Sequence, residues 1–168
     1  MSIDRDTRNK AASLLTRILE GKITNYQLED EWPTSPADRL FSSADKALPI
    51  IIDALSWGYY DERPEMPLSR DIFEKCNPGL LERCLFFLQS DLEYKWPNFH
   101  FVRIKIPLLD DLLGREKKWQ RRFEEFKSHG DFDVWPFLRC GDYERELKQK
   151  NGSGQEKVSG HVGLGKQP

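Results

Sequence analysis

The stretch Asp45–Tyr60 constrains the fold more than any other part of the chain. At 100° per residue, Ala47, Leu48, Ile50, Ile51, Ile52, Ala54, Leu55, Trp57 and Tyr59 cover about two thirds of a helical circumference. Only Asp53, Ser56 and Tyr60 share the remaining strip with Pro49. Pro49 falls in the first turn, where a missing N–H is tolerated. A helix apolar nearly all round must be enclosed by other elements. The sequence therefore predicts a mainly α-helical domain with this segment at its centre.

Helix punctuation supplies the walls. Ala11, Leu14, Leu15, Ile18 and Leu19 form one apolar stripe over Asp6–Glu20, and Gly21 offers a left-handed stop. Thr24 and Gln27 fit a capping box for a short helix that must end before Pro33. Ser35-Pro36 opens another short helix. Further helices are predicted over Pro78–Trp96, Leu108–Lys127 and Asp142–Lys150, the first two packing on the central helix. Partial alternation over 99–106 leaves room for one minor two-stranded β element with 132–137, where Pro136 restricts the partner to an edge. An α+β domain is the alternative. Residues 1–150 form the single domain in this reading. Residues 151–168 hold five glycines and no aromatic, a composition that predicts a flexible tail.

Charge and cysteine usage exclude several classes. With 28 acidic and 26 basic side chains the net charge is −2, unlike a polybasic nucleic-acid coat or an acidic disordered segment. No apolar run approaches the ~20 residues that span a bilayer, so no membrane partner is expected. The first residues lack the apolar region of a secretory leader, and three cysteines do not make a disulfide framework. A cytoplasmic setting is the expectation. His100, His129 and His161 are not spaced as zinc ligands, and Cys76 and Cys84 match no finger or redox pair. Gly163-Leu164-Gly165-Lys166 lacks the strand and helix a phosphate loop requires. No metal and no cofactor are expected.

Two carboxylates stand out. On a helix running to Trp96, Asp91 and Lys95 both fall inside the apolar arc of Leu80, Leu81, Cys84, Leu88, Leu92 and Trp96. The pair reads as a structural ion bridge that orients the helix. Glu116 likewise points into the arc of Leu109, Leu112, Trp119, Phe123 and Phe126. Asp91 and Glu116 together would be the acid–base pair of a hydrolase-like enzyme. No histidine, metal or phosphate loop accompanies them, so a non-catalytic role is preferred. The opposite face of Leu108–Lys127 carries Arg115, Lys118 and Arg122, with Lys117 and Arg121 nearby. Trp119 lies on the buried side and cannot stack beside them, and Glu124 and Glu125 dilute the positive field, so a solvated helix face is preferred and a nucleic-acid role is the weaker alternative.

The string Ser90-Asp91-Leu92-Glu93-Tyr94-Lys95-Trp96-Pro97, inside Arg83–Pro97, resembles a signature of a family of small bacterial proteins without known activity. Gly21–Asn25 and Gly130–Phe137 resemble the same family, so the likeness spans about residues 14–147. It implies kinship and brings no substrate or catalytic residue. The segment after Lys150 has no counterpart in it.

The preferred function is protein binding through an acidic, aromatic-edged surface, of the kind that bacterial immunity proteins and antitoxins use. The candidate residues are Glu29, Asp30, Glu31 and Trp32 in one cluster, and Tyr59, Tyr60, Asp61, Glu62 and Glu65 in another. Acidic groups steer a basic protein, and aromatic side chains anchor it.

Overall fold

The computed structural model describes residues 3–33, 45–59, 67–74, 77–101 and 114–155, and the side chains among them except those of 57–59, 74 and 152–155. Seven helices account for most of the described residues. They are α1 (Arg5–Leu19), α2 (Asn25–Glu31), α3 (Ala47–Tyr59), α4 (Arg70–Glu74), α5 (Leu80–Gln89), α6 (Arg115–Lys127) and α7 (Cys140–Gln155), with a 3-10 turn at Phe132–Val134 before α7. The fold is mainly α. Among the described residues there is no sheet, only an antiparallel bridge between Thr24 and Pro67. None of the described helices is long and apolar enough to cross a membrane.

The punctuation of α1 works as its residues dictate. Asp4 caps the start by accepting from the Thr7 N–H at 3.1 Å. At the other end Gly21 takes φ +65°, and the N–H groups of Gly21 and Lys22 return to the carbonyls of Ile18 and Arg17. That is the paired pattern of a Schellman stop, which a Cβ would strain.

Helix α3 is the enclosed element. Leu48, Ile51, Ile52 and Leu55 are fully buried, and each contributes on the order of 1.5–3 kcal/mol of apolar burial. Ser56, placed by sequence on the outer strip, is also buried, and its hydroxyl donates to the Ile52 carbonyl at 2.7 Å. The most extensive helix contact joins α1 to α5, while α3 packs on α4 and α5. Among the described residues the buried apolar side chains join one core.

The predicted helix Pro78–Trp96 is corrected in its second half. It ends at Gln89, and residues 90–101 run without helix or strand. Burial there alternates: Ser90, Tyr94 and Trp96 face the core, while Asp91, Glu93 and Lys95 face outward. The β partner over 132–137 is corrected too, since Phe132–Val134 is a 3-10 turn and the rest is not strand; Phe99–Phe101 forms no strand, and 102–106 lie outside the described residues. A cis peptide joins Trp135 to Pro136. These segments are held by an aromatic core instead. Trp96 Nε1 donates to the Phe137 carbonyl at 3.1 Å, Trp135 Nε1 to the Tyr94 hydroxyl at 3.3 Å, and Trp96 lies 5.0 Å from the Phe126 ring. Burial raises the Tyr94 phenol well above its ordinary value.

Helix α6 begins at Arg115, after Gly114 with φ +59°, and the predicted part before it (108–113) lies outside the described residues. The helix opened by Ser35-Pro36 lies outside them as well. Helix α7 runs to Gln155, five residues past the predicted end at Lys150 and into the segment read as a tail. Residues 156–168 lie outside the described residues.

Candidate functional site

The exposed face of α2 is fixed from its entry point. The Thr24 hydroxyl accepts from the Gln27 N–H at 3.2 Å, and the Gln27 side chain accepts from the Thr24 N–H at 3.0 Å. The Leu68 N–H donates to the Ile23 carbonyl at 2.8 Å, tying the same turn to the chain after Pro67. Asn25 and Leu28 are buried, and Trp32 closes the helix at 4% exposure. This phase leaves Tyr26, Gln27, Glu29 and Asp30 facing outward.

Tyr26 is 67% exposed, the most exposed large hydrophobic side chain among the described residues. Glu29 and Asp30 follow it by three and four positions, so all three share one face. Among the described residues neither of these two carboxylates is paired. Glu31 is different, because Arg17 of α1 bonds it. That bond holds the Glu31 carboxyl below its ordinary value and raises Arg17 in turn. Glu31 thus clasps α2 to α1.

Trp32 needs correcting as a surface residue, since it is a core side chain that seals the end of α2. The exposed aromatic side chain beside Glu29 and Asp30 is Tyr26, which the sequence reading did not single out and which lies two residues, or 200°, from buried Leu28. Tyr59 closes α3, but its side chain lies outside the described residues, as do Tyr60, Asp61, Glu62 and Glu65.

The buried carboxylates expected at Asp91 and Glu116 are both exposed. Asp91 lies past the end of α5, with its side chain 92% exposed, and its partner is Arg5 rather than Lys95, which also faces outward. The helical phase that buried it does not extend beyond Gln89.

Among the described residues the buried ion pair is Arg8 with Asp45, and the sequence reading missed it. Arg8 is 1% exposed, and its Nε and Nη2 both donate to the Asp45 carboxylate, the latter at 3.1 Å. Its Nη1 donates to the carbonyls of Ser90 at 3.2 Å and Leu92 at 2.8 Å, and the guanidinium lies 5.2 Å over the Phe87 ring. Arg5 donates to the Leu88 carbonyl at 2.8 Å. Two arginines of α1 thereby satisfy the Leu88 carbonyl in the last turn of α5 and the Ser90 and Leu92 carbonyls of the chain that follows it. The signal was present, because Arg8 precedes Ala11 and Ala12 by three and four residues on the apolar stripe.

On α6, Arg115, Lys118 and Arg122 are exposed, and Trp119 turns inward to stack on Phe123 at 5.1 Å. A cleft of about 240 Å³ between α5 and α7 is lined by Phe86, Gln89, Ser90, Glu146, Gln149 and Lys150. Its volume is below the usual ~300–1,000 Å³ of small-molecule sites. Lys150 reaches the Gln89 side chain at 3.0 Å and lies 4.9 Å from the Phe86 ring. Among the described residues, no three His, Cys, Asp or Glu side chains gather as a metal site would require. Compared with known proteins, the chain matches no family model, no curated protein and no solved structure.

Proposed function

We propose that this protein is a non-catalytic domain that binds a basic protein through the outer face of α2. The observation that carries the reading is Tyr26, an aromatic side chain left 67% exposed on a helix whose other large apolar residues, Leu28 and Trp32, are buried. Glu29 and Asp30 stand beside it without intramolecular partners among the described residues. An amphipathic aromatic ring between unpaired carboxylates combines an anchor with electrostatic steering. This chemistry suits a bacterial immunity protein or antitoxin acting in the cytoplasm on a basic toxin. The hydrolase reading loses its premise, because Asp91 and Glu116 lack the burial that would tune them for acid–base work.

The test is capture by the immobilised full chain from lysate of its host, compared with Tyr26→Ala and with Glu29→Lys/Asp30→Lys. Losing an aromatic hot spot costs about 2 kcal/mol, or about 30-fold in affinity. A basic protein retained by the wild type and lost from both variants supports the proposal. An identical captured set from all three, with unchanged melting temperatures, refutes it.

A further inference from the structure

The cations of α6 form a second charged surface, separate from the α2 face. Lys117, Lys118, Arg121 and Arg122 are all exposed, and among the described residues none of the four has a carboxylate partner. Glu124 is engaged by Lys127 at 2.8 Å. Lys117 and Arg121 are four residues apart, as are Lys118 and Arg122, so like charges adjoin twice on one helix. Lys117 and Lys118 also sit at the start of α6, where the helix dipole disfavours cations. Each arrangement weakens the helix, and Glu116 in the first turn and Glu125, four and three residues after Arg121 and Arg122, offset it only in part.

We infer that this face binds the phosphate backbone of duplex nucleic acid without reading sequence. The choice of partner rests on the four exposed cations and on the inward turn of the aromatic side chains of α6. Trp119, Phe123 and Phe126 all turn into the core, and the two exposed large hydrophobics among the described residues, Tyr26 and Leu147, lie on other helices. An acidic protein would need an aromatic or apolar anchor. An anionic bilayer would need a free apolar helix face. Phosphates need charge alone. The inward Trp119, whose Nε1 donates to the His100 carbonyl at 3.3 Å, leaves no ring on which single-stranded bases could stack.

The experiment follows anisotropy of a labelled duplex DNA of mixed sequence, bound by the full chain at increasing salt. Four phosphate contacts give a slope of about −3.6 in log K against log salt, so affinity falls about 150-fold between about 50 and 200 mM. Lys118→Gln/Arg122→Gln and Lys117→Gln/Arg121→Gln should each reduce the slope by about 1.8, whereas Lys10→Gln/Lys148→Gln should leave it unchanged. Circular dichroism of each variant confirms folding, and the two α6 pairs test the face independently. The inference is overturned by absence of binding at low salt, or by a slope that neither α6 pair changes. Displacement of the duplex by poly-glutamate at equal charge concentration also overturns it and assigns the face to an acidic protein.

Discussion

Asp45→Ala should be among the most damaging single substitutions in the chain. The side chains of Arg8 and Asp45 are 1% and 3% exposed, and removal of the carboxylate strands a buried guanidinium. Breaking a buried pair in this way costs about 3–5 kcal/mol. The Ala47 N–H at the start of α3 also loses its acceptor, the Asp45 Oδ1 at 3.1 Å. Asp91→Ala removes a carboxylate that is 92% exposed and paired with Arg5, so it should cost at most about 1 kcal/mol. With a urea slope of about 2 kcal/mol/M, the first variant should unfold about 1.5–2.5 M earlier than wild type and the second within about 0.5 M of it. Replacing both partners, as Arg8→Met/Asp45→Leu, should lose less than the sum of the single losses, because no charge is left buried. Recovery stays partial, since the Ser90 and Leu92 carbonyls lose their donor. Equal midpoints for Asp45→Ala and Asp91→Ala would refute the placement of the buried charge.

Other perturbations have defined outcomes. A Cβ on Gly130 would stand 2.5 Å from the Leu138 carbonyl oxygen and 2.9 Å from Trp96, so Gly130→Ala should cost about 1–3 kcal/mol. Gly141→Ala, with nothing within 4 Å and a place in the first turn of α7, should be neutral or stabilising in the same melts. The Glu31 carboxyl should titrate by NMR below 4.5 and return toward that value in Arg17→Ala. Because its folded pKa is depressed, the stability it adds is present above the unfolded value and lost as pH falls through the folded one. Alkylation mapped by mass spectrometry should label exposed Cys140 in the native protein and buried Cys84 only in denaturant, since burial also pushes the Cys84 thiol far above its ordinary value. Labelling of Cys140 should quicken in Glu144→Gln, because the hydrogen bond to Glu144 raises that thiol.

The parts of the fold that were legible are those written in local chemistry. The Gly21 stop, the Thr24–Gln27 box and the apolar girth of α3 each depend on residues within one or two turns. The error at Ser90–Trp96 has a physical cause of the same kind. The 3.6-residue period holds only to Gln89, whereas Ser-Asp-Leu-Glu-Tyr-Lys-Trp alternates apolar and polar from Leu92 to Trp96. Period two puts Tyr94 and Trp96 inside and Asp91, Glu93 and Lys95 outside, as found. At that end Arg5 and Arg8, more than 80 positions away in sequence, hold the chain by the Leu88 and Ser90 carbonyls. No local pattern encodes such a partner. Trp32 was misplaced because a residue at a helix end was read as exposed, although it shares a face with Leu28 four positions earlier.

The role of the α2 face is tested most directly by replacing Tyr26 with a photo-crosslinking aromatic residue in the full chain and irradiating cells that express it. The same residue at Leu147, the other exposed large hydrophobic among the described residues, serves as the control. A covalent adduct with a basic protein from position 26, absent from position 147 and lost when Glu29 and Asp30 are reversed to lysine, is the result this account predicts. No adduct from position 26, or the same adduct from both positions, would contradict it.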